Sequence, residues 1–255
     1  MTSLLDIRGL GVRFGGVAAL SDVTVSVRPG AVHGLIGPNG AGKTTLLNCI
    51  SRLIPPTSGT IRFDGRDLLS ASAHQIAGIG ISRSFQNLGL ISQLSVLDNV
   101  KVGFHARHPG TLLDELLLIP RRNTNERETA DRARAALRLA GLEDKADLPV
   151  SALSYGLRKS VEFARAIVGE PRLLLLDEPT AGLSPFEMDE LRDRLRVLMS
   201  TRPTTLLVIT HHLEFLAEIA DSVTVLDLGR VIASGSPAEI RADPAVISAY
   251  VGEVD

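Results

Sequence analysis

The chain has 255 residues and a formal net charge of -2, because 27 lysines and arginines are set against 29 aspartates and glutamates. A chain of this length can bury a substantial core, and its balanced charge gives no overall basic field of the kind that attracts nucleic acid. Hydrophobic residues make up 44% of the sequence, but charges and glycines interrupt every apolar run before membrane-spanning length. The composition therefore excludes an integral membrane protein and predicts a soluble one.

The start of the chain and its cysteine content indicate a compartment. Residues 1–10 lack the basic segment and apolar core of a secretion signal. The single cysteine, Cys49, cannot form an internal disulfide. We therefore expect the protein to work in a reducing cytoplasm.

The first third of the chain has the pattern of short strands and turns. Strands are predicted over 4–14, over 23–27, where apolar and polar residues alternate, and over 60–63 before the turn Asp64-Gly65. A further stretch at 78–85 approaches the core in the same way. The strands at the N-terminal end of the chain are predicted to be antiparallel.

A glycine-rich loop follows an apolar strand at 32–36 and precedes a helix at 46–50. Its glycines permit positive φ, so successive N–H groups can converge on phosphate oxygens at the positive end of a helix dipole. Lys43 would reach the β- and γ-phosphates, and the Thr44 hydroxyl would bind Mg²⁺. A glycine turn with a solvated lysine is the alternative. The predicted phosphate-binding residues are Gly37, Pro38, Asn39, Gly40, Ala41, Gly42, Lys43, Thr44 and Thr45.

The middle of the chain is predicted to be helical, and the last third to alternate between helices and strands. Arginine, glutamate, alanine and leucine dominate the end of a helical stretch over about 95–142. Helices at 155–168 and 185–199 then alternate with strands at 173–176 and 205–209. This pattern predicts an α/β fold with a mixed, largely parallel sheet core and an inserted helical subdomain.

Two acidic residues follow a run of four leucines at 173–176. A buried parallel strand would deliver Asp177 and Glu178 to its C-terminal edge, with the two side chains pointing in opposite directions. Asp177 can then assist Mg²⁺ through water, while Glu178 can polarise a hydrolytic water. An acidic turn after a core strand is the alternative, and the phosphate loop upstream weakens it.

With these motifs in this order, nearly the whole chain resembles the nucleotide-binding subunits of ATP-binding cassette (ABC) transporters, which have a P-loop NTPase fold. The resemblance implies that Phe14 stacks on adenine, for which a core aromatic is the alternative. It implies that Gln86 contacts Mg²⁺ and water and joins two lobes; a solvated loop amide is the alternative. It also implies that His211 contacts the γ-phosphate and that Glu178 is the general base.

The segment 153–157 matches the family's signature, which in the family completes the partner subunit's ATP site across a head-to-tail dimer. Tyr155 stands where glycine is commoner, and Leu157 where glutamine is commoner. Ser154 and Gly156 still offer a hydroxyl and a backbone N–H at a helix start. We therefore expect Ser154, Tyr155 and Gly156 to contact nucleotide and ATP-driven closure to survive these differences.

Other segments resemble one branch of the family, the branched-chain amino-acid importers. They are the Tyr-Gly signature, Ala181 to Pro185, the doubled His211-His212 and the ending at 225–252. Ser184 stands where many members carry aspartate, which puts communication between subunits through that loop in question.

The resemblance implies a single ABC ATPase domain over 1–255, with a core lobe at about 1–94 and 155–255 and a helical lobe at about 95–154. It implies ATP and Mg²⁺ as cofactors, and a peripheral position on the cytoplasmic side of the plasma membrane. The implied partners are membrane permease subunits, a second ATPase subunit of the same or a paralogous chain, and an external solute-binding protein. No nucleic-acid partner is expected. The alternative is a soluble cassette ATPase that acts as a mechanical clamp in cofactor assembly or on nucleic acid.

Overall fold

A computed structural model describes residues 3–84, 89–105 and 122–251. The strands are β1 Leu5–Phe14, β2 Val17–Val27, β3 Val32–Ile36, β4 Ser58–Phe63, β5 Arg66–Asp67, β6 Ile81–Arg83, β7 Leu173–Asp177, β8 Thr205–Ile209, β9 Ser222–Asp227 and β10 Arg230–Gly235. The α-helices are α1 Lys43–Ile50, α2 Gln75–Ile79, α3 Val96–His105, α4 Arg122–Leu139, α5 Tyr155–Ile167, α6 Pro185–Thr201, α7 Leu213–Ile219, α8 Pro237–Ala242 and α9 Pro244–Val251. None of the helices within these ranges is both long and apolar enough to cross a bilayer.

The larger sheet has the strand order β10-β9-β3-β8-β7-β6. Its strands pair in parallel except for β10, which runs antiparallel to β9. Every residue of β3, β7 and β8 is buried, as expected for parallel strands covered on both faces. The prediction of a largely parallel core is confirmed, and the carboxyl ends of β3, β7 and β8 share one edge of the sheet.

The smaller sheet is antiparallel, in the order β2-β1-β4-β5, and confirms the prediction for the N-terminal strands. Helix α1 lies between the two sheets, because its residues Leu46, Leu47 and Ile50 share one buried cluster with Ile7 of β1 and Leu207 of β8. Burial of each large aliphatic side chain contributes about 1.5–3 kcal/mol. The start of α1 is therefore held rigidly beside the carboxyl end of β3.

A second apolar cluster joins the described helices α3, α4 and α5 to the other face of the larger sheet. Phe104 of α3, Ala136 of α4 and Val161 of α5 belong to it together with Leu174 of β7. Helices α3 and α4 lie within the part of the chain predicted to be an inserted lobe. The boundaries of that lobe at 95 and 154 stay predictions.

One predicted segment has a different structure from the expected one. The stretch at 78–85 contains the end of α2 and the three-residue strand β6, separated by Gly80. Gly80 has a φ of +101° and ends α2, which strand propensity alone does not indicate. Phe85 and Gln86 lie outside the described residues.

Candidate functional site

The phosphate loop lies where β3 leads into α1. A Cβ on Gly37 would lie 1.9 Å from the carbonyl oxygen of Leu226, so only glycine permits this close passage of the loop. Gly42 caps the N-terminus of α1 with a φ of +101°. Asn39, Gly40 and Thr44 are exposed, which leaves the loop accessible to a ligand. The strand, loop and helix occur in the predicted order, while the assignment of phosphate contacts to residues 37–45 stays a prediction.

Lys43 folds back over the loop that precedes it. Its ammonium donates to the carbonyl of Gly37 at 2.6 Å and to that of Pro38 at 2.7 Å. A polyphosphate would offer anionic oxygens in place of these neutral carbonyls, and charge-assisted hydrogen bonds are about twice as strong. The ammonium of Lys43 therefore lies at the loop, and a bound phosphate would be a stronger hydrogen-bond acceptor for it than the two carbonyls.

Asp177 ends β7 in a buried ion pair that was not predicted from the sequence. Its Oδ2 accepts from Nη2 of Arg83 at 2.7 Å, and the two side chains are only 2% and 8% exposed. Nη1 of Arg83 donates to Oδ1 of Asn48 on α1 at 2.7 Å. Arg83 thus ties the helix of the phosphate loop to the carboxylate. The sequence did offer one indication of this ion pair. Arg83 lies in a segment predicted to approach the core, and a buried charge requires a partner.

Glu178 and His211 form a pair at the carboxyl edge of the larger sheet. Glu178 directly follows β7 and His211 lies two positions beyond the end of β8, and the paired positions Asp177 and Ile209 bring the two strand ends level. Oε2 of Glu178 lies 3.0 Å from Nδ1 of His211. The side chains are 15% and 59% exposed, so both can be reached from solvent. The sequence predicted both residues and did not predict their contact.

The backbone at Glu178 adopts a left-handed conformation, with φ at +50°. Non-glycine residues seldom adopt this region, and its cost is of the order of 1–3 kcal/mol. The N–H of Glu178 donates to the carbonyl of Ile209 at 2.9 Å. Nearby, the hydroxyls of Thr180 and Thr210 lie 2.8 Å apart and join the two segments again. Strain at a solvent-facing carboxylate is typical of a functional site.

The signature segment forms the start of α5. The side chain of Ser154 is the N-cap and accepts from the N–H of Leu157 at 3.4 Å. Tyr155 is exposed. A Cβ on Gly156 would lie 1.9 Å from Oε1 of Glu187 on α6, so a larger residue would have to displace the Glu187 carboxylate. The predicted hydroxyl and helix start are present, and their contact with a partner's nucleotide stays a prediction.

Ser184 has a structural use within its own chain. Its side chain caps α6 and accepts from the N–H of Glu187, while the Glu187 carboxylate accepts from the N–H of Ser184 at 2.8 Å. This reciprocal arrangement is a capping box. Ser184, which stands where many family members carry aspartate, therefore caps α6 in this chain.

Phe14 lies at the end of β1 with half of its side chain exposed. A core aromatic would be buried, so that alternative is wrong. The exposed ring has a face free for a base, although adenine stacking itself stays a prediction. Gln86, predicted to contact Mg²⁺ and water, lies outside the described residues, and its role stays a prediction as well.

Comparison with known proteins places these motifs in one family. The model of the ABC transporter family matches residues 20–181, which include the phosphate loop and both carboxylates. The chain belongs to the ABC transporter family. A model of the branched-chain amino acid ATP-binding cassette transporters also matches the end of this ABC chain, residues 230–255.

Two curated relatives match this ABC subunit over 250 residues, which is 98% of each chain. It is 38% identical to the high-affinity branched-chain amino acid transport ATP-binding protein BraF of Pseudomonas aeruginosa. It is 39% identical to the corresponding protein LivG of Escherichia coli (strain K12). The prediction of an ABC-type ATPase subunit is confirmed.

Solved ABC cassettes share the fold. A nucleotide-free ATP-binding cassette from an ABC transporter matches with a TM-score of 0.85 at 28% identity, over 98% of this chain and 99% of the other. A dimeric cassette in a post-hydrolysis state, bound to ADP and phosphate, matches with a TM-score of 0.77 at 25% identity, over 91% and 98%. The predicted P-loop NTPase-type architecture is therefore confirmed.

Proposed function

We propose that this ABC subunit hydrolyses ATP to power the import of branched-chain amino acids or related small solutes through separate membrane permease subunits. The observation that carries the ATPase chemistry is the Glu178–His211 pair at the same sheet edge as the phosphate loop. The names of the relatives BraF and LivG, and the family match at residues 230–255, support the class of solute.

Binding of ATP would use the loop and the exposed ring of Phe14. The backbone N–H groups of the loop 37–45, which Pro38 lacks, would surround the phosphates at the positive end of α1, and Lys43 would add a point charge. Phe14 offers a flat, exposed face to the base. Since stacking does not read hydrogen-bonding edges, this contact accepts either purine.

Hydrolysis would use Glu178 as general base. The carboxylate takes a proton from water as the water oxygen attacks the γ-phosphorus, and the bond to ADP breaks with its electron pair left on the β-phosphate oxygen. When both ring nitrogens of His211 carry protons, Nδ1 donates to Oε2 of Glu178 and Nε2 can donate to a γ-phosphate oxygen. Lys43 and the loop amides stabilise the charge that develops.

The residues present fit a magnesium ion, which prefers hard oxygen ligands. Thr44 is an exposed residue at the start of α1. The Asp177 carboxylate, at the end of β7, is held in place by its ion pair with Arg83. We assign the ion to Thr44 and Asp177, with Gln86 as a further contact. When bound, it would neutralise negative charge on the phosphates.

The subunit would act as one of two cassettes in a dimer, with the same chain or a paralogue as its partner. Ser154, Tyr155 and Gly156 at the start of α5 would complete the partner's ATP site. In the same system we infer an external solute-binding protein, and we place this chain peripherally on the cytoplasmic side of the plasma membrane.

The described helices offer a surface for the permease. A groove of 310 Å³ is lined by Leu53 after α1, Ile76 of α2 and Val102 of α3. Leu53 and Val102 are exposed apolar side chains. The groove thus joins the α1 region, which holds the phosphate loop, to the predicted helical lobe, as a docking site that follows nucleotide closure requires.

Cross-linking in the assembled complex tests this function. With Cys49 replaced, a cysteine at Val102 should label a multi-span membrane subunit, whereas a cysteine at Val197 on α6, which is about as exposed, serves as the matched control. Deleting the gene for the subunit should abolish uptake of leucine, isoleucine or valine. Capture of only soluble assembly proteins or nucleic acid would overturn the importer hypothesis and favour a soluble cassette ATPase that acts as a mechanical clamp. Recovery of a permease without a defect in uptake of these amino acids would overturn the assignment of the solute and leave the assignment of the ATPase standing.

A further inference from the structure

A lysine of α5 reaches the backbone of the proposed base. The ammonium of Lys159 donates to the main-chain carbonyl of Glu178 at 3.0 Å. The same ammonium lies 5.8 Å from the centre of the Tyr155 ring. Burial lowers the pKa of Lys159, and the carboxylates of Glu162, Glu178 and Asp177 oppose that shift. A half-buried cation of the signature helix thus lies between the signature and the catalytic edge.

The backbone that Lys159 contacts has little freedom. The φ of Glu178 is +50°, and its N–H donates to the carbonyl of Ile209 at 2.9 Å. Its carbonyl also accepts from the N–H of Ala181 at 3.1 Å. Because φ and ψ set the direction of the Cα–Cβ bond, these contacts determine where the Glu178 carboxylate points. Through Lys159, helix α5 joins the contacts that hold the strained backbone of Glu178.

Two close approaches pack the start of α5 against the segment that follows Glu178. A Cβ on Gly182 would lie 2.9 Å from Cε1 of Tyr155. A Cβ on Gly156 would lie 1.9 Å from Oε1 of Glu187. With glycine at both positions, the start of α5 and the segment 178–187 lie in close contact. The contact of Lys159 is therefore part of a tight junction between the signature helix and the segment 178–187.

We propose that Lys159 is a positioning residue that orients Glu178 from the signature helix of the same chain. The inference rests on the proposed function, because it takes Glu178 as the base for ATP hydrolysis. A displacement of α5 changes the position of the carbonyl that Lys159 holds and, with it, the direction of the carboxylate. The base is thus set by the helix whose first residues, Ser154 and Gly156, would complete the partner's ATP site.

The test compares Lys159→Met, Lys159→Arg and Arg202→Met in the purified full-length chain. Methionine keeps the length of the side chain and removes the donor, whereas arginine keeps the charge. Arg202 is the matched control, because its Nη1 donates to the carbonyl of Ile167 at the far end of α5, 3.2 Å away. Steady-state hydrolysis gives kcat and KM, equilibrium titration gives the Kd for ATP, and thermal unfolding gives Tm.

We expect Lys159→Met to lower kcat by about tenfold or more, because a small misplacement of a catalytic group has effects of this size. KM and Kd for ATP should change by less than about twofold, since binding does not use Glu178. Lys159→Arg should restore most of kcat. Arg202→Met should keep kcat at the wild-type value even where its Tm falls as far as that of Lys159→Met.

A second comparison uses the Glu178→Gln background. Adding Lys159→Met there should cause no further loss of kcat, because the group that Lys159 positions is already disabled. Wild-type kcat in Lys159→Met, or the same fractional loss in both backgrounds, would overturn the positioning role. Wild-type turnover in Glu178→Gln alone would instead overturn the assignment of the base in the proposed function.

Discussion

Two neighbouring regions of the site are built in opposite ways. In the interior network, formed by Asp177, Arg83 and Asn48, the carboxylate and the guanidinium are buried and each contact is 2.7 Å long. In the edge pair, formed by Glu178 and His211, the imidazole is largely exposed and the backbone is strained. The contrast separates two tasks, since the interior network holds α1, β6 and β7 together while the edge pair meets water and phosphate. Changes in the first should cost stability, and changes in the second should cost turnover.

The largest expected effect would break the interior network. Arg83→Met leaves Asp177 as an unpaired buried charge, which should lower the free energy of unfolding by about 3–5 kcal/mol. Urea denaturation measures it. As a control, Arg138→Met removes an exposed ion pair with Glu143 and should cost less than about 1 kcal/mol. Similar losses of unfolding free energy in the two variants would show that the buried network stabilises the fold no more than an exposed ion pair does.

A buried histidine extends the comparison to pH. Burial lowers the pKa of His33 to about 4, and its ring nitrogens lie 2.8 and 3.0 Å from the hydroxyls of Ser222 and Thr224. The unfolded chain binds this proton near pH 6.5. The neutral His33 therefore makes its whole contribution to stability above about pH 6.5. The free energy of unfolding should fall by about 3 kcal/mol as the pH decreases to about 4.

Urea denaturation at a series of pH values checks this loss. His33→Asn should be less stable than wild type at pH 8 and should lack most of the fall between pH 6.5 and 4. The exposed His74 provides the control, because His74→Gln should retain the fall. A wild-type profile that stays flat across this range would contradict the burial of a neutral imidazole.

Glu178→Gln sharpens the comparison at the edge pair. The amide keeps the shape and cannot accept the proton, so kcat should fall by about 10²-fold or more while ATP still binds. The free energy of unfolding should stay close to wild type, unlike that of Arg83→Met. Glu214→Gln, at an exposed position on α7, is the control for loss of one negative charge. Turnover near the wild-type value would remove Glu178 from the role of base.

The smallest expected effect concerns the nucleotide's base. Phe14→Ala should raise the Kd of both ATP and GTP, by an amount equivalent to about 1–3 kcal/mol of lost stacking. Phe14→Tyr should be mild because the ring face is kept. Val17 pairs with Phe14 across the β1–β2 hairpin and is also exposed, so Val17→Ala is the matched control. Equal Kd values for Phe14→Ala and wild type would exclude stacking.

The parts of the site that were predictable are encoded within a few consecutive residues. Glycine spacing and a leucine run placed the phosphate loop and Asp177 without knowledge of any distant contact. The contact of Arg83 with Asp177 spans 94 positions and that of Glu178 with His211 spans 33. Such pairs depend on strand order and register, which hydrophobic patterns do not specify. For the same reason Lys159 had no signal beyond its position in a helix.

The carboxylate of Glu187 serves two neighbours at once. It closes the capping box with Ser184, and it lies where a Cβ on Gly156 would have to go. A mutation at Gly156 found in a genetic screen would therefore carry two lesions, a crowded signature and a displaced start of α6. Second-site suppressors that shorten the side chain at position 187 would relieve the crowding, but they would also remove the carboxylate that accepts from Ser184 in the capping box. The residues recovered at position 187 would then reveal which of the two lesions had inactivated the mutant.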